Sequence, residues 1–201
     1  MAINLAARRG ARNQKRKVAV ALKRKQEMEA GTLSGRVRLA LSDPIQLCLL
    51  SQGLFEVGVG TLIVARGATP HSLTMAGFLL DTQALGVKDA FLSSIGGWEL
   101  AEYLRSLATI APASPVDPSY ARKLLHDLVS WARTVGFAPH RDYPKLEPIF
   151  GSVAAASAPR FQFGHEGKPM LIGDMSDADE MLDGFDYEII VDADELTELS
   201  E

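Results

Sequence analysis

Three apolar runs joined by short polar turns constrain this chain most. Residues 54–66 (LFEVGVGTLIVAR), 73–81 (LTMAGFLLD) and 87–93 (VKDAFLS) are rich in Val, Ile, Leu and Phe. The links between them, GATPHS and TQALG, are composed of turn-forming residues and are too short for a crossover helix. Parallel strands need a connection of a dozen residues or more, so these runs fold back on one another as an antiparallel meander. Gly58 and Gly60 inside the first run mark a bulge or a close backbone approach. They are not a dinucleotide fingerprint, because no third glycine and no helix follow.

Helical patterns flank the meander. Ser42-Asp43-Pro44 reads as a helix start, predicting a short helix over 44–51 closed by Gly53 that buries Ile45, Leu47, Cys48 and Leu49. Residues 98–107 carry apolar positions three and four apart, as an amphipathic helix requires. Asp117 caps a second helix with Pro118 in its first position, a buried stripe of Ala121, Leu124, Leu125, Leu128, Ala132 and Val135, and a stop at Gly136. Residues 136–151 (GFAPHRDYPKLEPIFG) read as a stiff extended connection because of Pro139 and Pro144. The small-residue link 152–159 is the candidate subdomain boundary. A hairpin follows over 161–173 with His165-Glu166-Gly167-Lys168 at its turn, then a helix capped by Ser176 and stopped by Gly184, and a last strand over 187–191. The expected fold is α+β: a small antiparallel sheet with two or three helices on one face, preceded by a basic arm that is disordered or helical.

At 201 residues the chain is long enough for one domain with a substantial core. We divide it into an arm over 1–38 and a domain over 39–201, with an acidic tail from 192. A single cysteine, Cys48, forms no intrachain disulfide and suits a reducing cytoplasm; among leucines it reads as an inert core thiol. No apolar run approaches the roughly 18 residues of a membrane span, and no apolar segment near the start reads as a secretory signal.

A net charge of −4 conceals a strong polarity between the ends. Residues 1–26 hold nine cations (Arg8, Arg9, Arg12, Lys15, Arg16, Lys17, Lys23, Arg24 and Lys25) and no acid, whereas residues 174–201 hold twelve acids and no base. The apolar residues of the arm make no sustained helical stripe, and residues 18–30 favour helix only weakly, with Gly31 as a stop. The arm reads as an anchor on nucleic acid, where each neutralised phosphate releases counterions, or else as a solubilising tail. RNA is favoured over DNA because no helix-turn-helix is apparent. The acidic end, with Asp174, Asp177, Asp179 and Glu180, lacks the spacing of an EF-hand; it is solvated charge, or a cover for the basic arm. It also leaves open a protein–protein adaptor that mimics nucleic acid.

Two sets of side chains are candidates for chemistry. Asp81, Lys88 and Asp89, with Glu56 upstream, would place two carboxylates at neighbouring strand ends. Asp81 and Asp89 are then the ligands of a Mg²⁺ ion and Lys88 a partner for a scissile phosphate, as a metal-dependent nuclease needs. The competing reading is an ion pair that organises the turn. The second set is His126 on the main helix with His140 and Asp142 after it, a histidine–carboxylate arrangement suited to acid–base work; alternatively His140 caps the helix end. His140-Arg141-Asp142 matches a kinase triplet in letters only, since the glycine-rich loop and the Asp-Phe-Gly segment are missing. No GxSxG, HExxH or GxxxxGK[ST] pattern occurs.

The segments GFLLDTQALGVKDAF and ARKLLHDLVSWARTVGFAPHRDY resemble an uncharacterised group of bacterial proteins. In that group similar LGVKDAF and GFxPHxD segments occur in this order and a hairpin with a GKP turn follows. The resemblance spans about residues 44–172. It implies no catalytic role, but it does imply that Asp81, Gly86, Lys88, Asp89, His140 and Asp142 belong to one fold and meet in space.

Overall fold

A computed structural model describes residues 30–110, 112–172 and 188–190. The arm cations Arg8 to Lys25, the predicted helix over 176–184 and the acidic tail from 192 lie outside them. The described chain is α+β, built on a five-stranded antiparallel sheet ordered β4-β3-β2-β1-β5. Its strands are β1 Ile45–Ser51, β2 Val59–Thr69, β3 Ser72–Asp81, β4 Gly86–Gly96 and β5 Ala113–Pro115. The meander over β2, β3 and β4 follows the predicted order, with Leu62 opposite Phe78 and Phe78 opposite Ala90.

Ahead of β2, two elements differ from the sequence expectation. Residues 45–51 form strand β1 rather than a helix, with Leu49 opposite Ile63. Cys48 and Leu50 pack into one core and Leu49 into the other. A short apolar run that is buried on both sides carries no period to separate strand from helix, and pairing with β2 decides it. The run over 54–66 is not one strand either. Leu54–Val57 makes a one-turn helix (α2) between Gly53 and Gly58, both in the left-handed region at φ 71° and 83°. The strand resumes only at Val59.

The sheet is covered on both faces, not one. Helix α1 (Leu33–Ala40), α4 (Pro118–Thr134), α5 (Tyr143–Leu146) and the 3-10 turn Glu147–Phe150 contribute to the larger core, against Leu50, Leu62, Val64, Phe78 and Leu80. Helix α3 (Gly97–Ile110) lays Leu100, Tyr103 and Leu104 on the other side, over Leu49, Ile63, Ala65, Leu73 and Met75. Leu62, Ile63, Val64 and Ala65 are consequently all fully buried. On this second face Gly77 lies opposite Phe91, whose ring fills the space a side chain would take. Val37 of α1 belongs to the core, so the folded body begins ahead of residue 39.

Helix α4 matches its predicted form. Asp117 accepts from the Ser119 amide at 2.7 Å, Pro118 stands in the first turn, and Gly136 follows at φ 93°. The stripe from Ala121 to Val135 is buried. The 136–151 segment is more compact than its prolines suggested. Pro144 and Pro148 sit in the first turns of α5 and the 3-10 turn, where a missing N–H costs nothing. The expected hairpin over 161–173 is reduced to a bridge between His165 and Lys168, while β6 (Met170–Ile172) pairs in parallel with β7 (Glu188–Ile190). Cys48 is buried, and that burial pushes its thiol up to about 12. Among the described residues no helix is long and apolar enough to cross a membrane.

Candidate functional site

The turn between β3 and β4 is built on Asp81. This buried residue ends β3, and its Oδ1 accepts the amides of Gln83, Ala84 and Leu85 at 3.0, 2.9 and 3.3 Å. One carboxylate oxygen thus satisfies three backbone donors that the turn would otherwise strand. Gly86 opens β4 at φ 73°, and a Cβ there would lie 2.7 Å from that of Ala132 on α4, so glycine is required twice over. Leu80 pairs with Val87 and Leu79 with Asp89, which leaves Lys88 as the extra residue of a β-bulge. Its Nζ stands 3.8 Å from Asp81 Oδ2.

The segment following α4 brings His140 and Asp142, but not His126, to the same strand. The His140 amide donates to the Val87 carbonyl at 2.8 Å and pins this loop to the outer edge of β4. Its Nε2 lies 3.7 Å from Asp89 Oδ1, within ion-pair reach but beyond a hydrogen bond. Its Nδ1 receives the Asp142 amide at 3.4 Å. Asp142 pairs with Lys145 at 2.5 Å, and that hydrogen bond holds its carboxyl below the usual range. Asp81 with Lys88 and Asp89 with His140 and Asp142 therefore form two contact groups, joined among the described residues only through the neighbouring positions of Lys88 and Asp89 on β4.

His126 engages a different partner. Its Nε2 and the Arg122 Nε both meet Oε1 of Glu147 at 2.8 Å. Burial alone would push Glu147 up, but the hydrogen bonds from His126 and Arg122 outweigh it and the carboxyl is lowered. Arg122 also donates to the carbonyls of Gly151 and Val153. The i, i+4 spacing of Arg122 and His126 was the available signal for a shared acceptor, though nothing local pointed to Glu147. Arg66 gave no signal at all. It is buried and donates to the carbonyls of Ile149, Asp43 and Phe150 at 2.5, 2.5 and 3.0 Å, tying β2 to the end of the 3-10 turn.

Lys88 and Asp89 are exposed on this rim, and His140 is half-buried beside them. The two carboxylates expected to hold a Mg²⁺ ion already have other partners. Asp81 has one oxygen committed to three amides and the other facing an ammonium, while Asp89 gives Oδ1 to its own neighbour Ala90 at 2.7 Å. Among the described residues no group of three His, Cys, Asp or Glu is gathered to hold a metal. Comparison with family models, curated proteins and solved structures finds no match for this chain.

Proposed function

We propose that this is a cytoplasmic nucleic-acid-associated protein with a binding or accessory role, RNA being preferred to DNA. The observation that carries the reading is the run of nine cations without an acid in residues 1–26. Each cation that meets a phosphate releases a condensed counterion, which gives binding without sequence preference and with steep salt dependence. The preference for RNA is supported by the helices: the two long ones among the described residues, α3 and α4, pack on opposite faces of the sheet, and α4 is followed only by one-turn α5. A binding role is preferred to a nuclease because Asp81, the central acid of that alternative, serves the turn through three amides.

The test is the affinity of the full chain for a fluorescent single-stranded RNA across a salt series. Nine phosphate contacts on a single strand correspond to a slope of log K against log salt near about −6. Replacing the nine cations of residues 1–26 by glutamine should abolish most of the affinity and flatten the slope. An unchanged slope overturns the reading. Recovery of a stoichiometric protein partner instead of RNA would favour the adaptor.

A further inference from the structure

Strand β4 forms one edge of the sheet, and its backbone shows which groups that edge offers. Gly97 donates to the His71 carbonyl at 3.3 Å, and from Ala90 to Gly96 the pairing with β3 is regular. Alternation along an antiparallel ladder then turns the amides and carbonyls of Phe91, Ser93 and Ile95 toward β3. Those of Ala90, Leu92, Ser94 and Gly96 point away from it. Both ends of this outward row are closed by carboxylates. Asp89 Oδ1 accepts the Ala90 amide at 2.7 Å, and Glu99 Oε2 accepts the Gly96 amide at 2.8 Å. Between them the Leu92 and Ser94 amides have no hydrogen-bond partner among the described residues. Upstream, the Lys88 bulge, the charge of Asp89 and the bond from His140 to Val87 block the edge against pairing. Residues 90–96 (AFLSSIG) carry no charge, no proline and no bulge. The edge is open over one short window with an acid at either end.

The arm holds a segment that fits this window. Residues 15–25 read KRKVAVALKRK: five uncharged residues, alternating large and small, with three cations on each side. Such alternation is the pattern of a strand, with Val18, Val20 and Leu22 on one face and Ala19 and Ala21 on the other. We infer that residues 18–22 add to the open edge of β4 as a sixth, antiparallel strand, with Val20 opposite Ser93. In this register Val18, Val20 and Leu22 extend the second face of the sheet beside Ile95 and Phe91, which are only partly buried there. Ala19 and Ala21 fall opposite Ser94 and Leu92, where Arg36 of α1 already reaches Ser94 Oγ at 3.1 Å. Lys17 and Lys23 are six residues apart, as Gly96 and Ala90 are, a span of about 20 Å in extended chain. Lys17 therefore arrives at the Glu99 end and Lys23 at the Asp89 end. The seven residues from Lys25 to Thr32 reach about 25 Å, enough because α1 lies beside β4. A second copy of β4 fits less well, since an antiparallel pair centred on Ser93 sets Asp89 against Glu99 of the other copy at both ends. The inference goes beyond the nucleic-acid reading and does not depend on it.

The test is amide hydrogen exchange of the full chain, read residue by residue by NMR in the absence of nucleic acid. Leu92 and Ser94 should exchange at least about tenfold more slowly than amides open to water, as ladder amides do. Ala21→Pro removes the donor that faces Leu92 and cannot sit inside a ladder. It should return Leu92 and Ser94 to fast exchange and leave Ile63, in the middle of the sheet, unchanged. Val20→Cys with Ser93→Cys creates a non-hydrogen-bonded pair with Cα atoms about 4.5 Å apart, which should close a disulfide on mild oxidation. Ala19→Cys with Ser93→Cys places the thiols on opposite faces and should not. Fast exchange of Leu92 and Ser94 in the wild type overturns the inference, and so does protection that survives Ala21→Pro. Protection that appears only as the chain dimerises gives the edge to a second copy and overturns it too, as does a disulfide from both cysteine pairs. None of these outcomes touches RNA affinity, so failure here and failure of the nucleic-acid reading are told apart.

Discussion

Replacing Asp81 by alanine separates a turn held by backbone caps from one held by an ion pair. The substitution strands the amides of Gln83, Ala84 and Leu85, which now share Oδ1 at 2.9–3.3 Å. Ala84 is fully buried, so its donor cannot reach water without opening the turn. A buried donor left without a partner costs about 1–3 kcal/mol, and the other two, partly accessible, cost less. The expected loss is about 3 kcal/mol for Asp81→Ala. Asp81→Asn keeps an acceptor oxygen and gives up only the charge, which sets its loss near about 1 kcal/mol. Lys88→Ala removes an ion pair at 3.8 Å from a side chain that is 37% exposed, and should cost less than about 1 kcal/mol. Urea unfolding followed by circular dichroism, with the slope unchanged among variants, reads all three on one scale. Against a domain stability of about 5–15 kcal/mol the alanine effect is easily measured. If Lys88→Ala costs as much as Asp81→Ala, or Asp81→Ala stays within about 1 kcal/mol of wild type, the backbone-cap argument is wrong.

Two further perturbations follow from the same structure. Gly77→Ala places a Cβ 2.2 Å from the Phe91 ring, and should destabilise by about 1–3 kcal/mol, with the added substitution Phe91→Ala recovering part of the loss in a double-mutant cycle. Glu147 has its folded pKa depressed, so the stability it contributes is present above its unfolded value and is lost as pH falls through the folded one. Stability should decline as pH drops below 4.5, the ordinary glutamate value, and Glu147→Gln should flatten that part of the profile; a profile identical to wild type would refute the role given to Arg122 and His126.

How far the chain could be read in advance depended on the reach of each interaction. Helix α4 was legible because its cap, its stripe and its stop all lie within the helix or next to it. The meander was legible because short turns leave antiparallel pairing as the only option. Strand β1 was not, since an apolar segment buried on two sides has no amphipathic period, and the decisive partner is β2. The Asp81, Lys88, Asp89, His140 and Asp142 set was legible as a list of residues; that the turn consumes Asp81 was not, because the competition for its oxygen comes from backbone amides. Arg66 and Glu147 escaped notice since their partners lie about 20 to 84 residues away in sequence.

The sequence by itself determined the α+β class, the order of β2, β3 and β4, the limits of α4 and the opposed charges of the two ends. Those properties are set by neighbours a few residues apart or by composition. Only the tertiary structure decided which faces of the sheet are covered, which oxygen of Asp81 is spent, that His140 rather than His126 reaches the β4 edge, and that Phe55, Phe161 and Phe163 gather into one ring cluster. Each of these is a contact between segments distant in the chain, and packing, not local propensity, selects it.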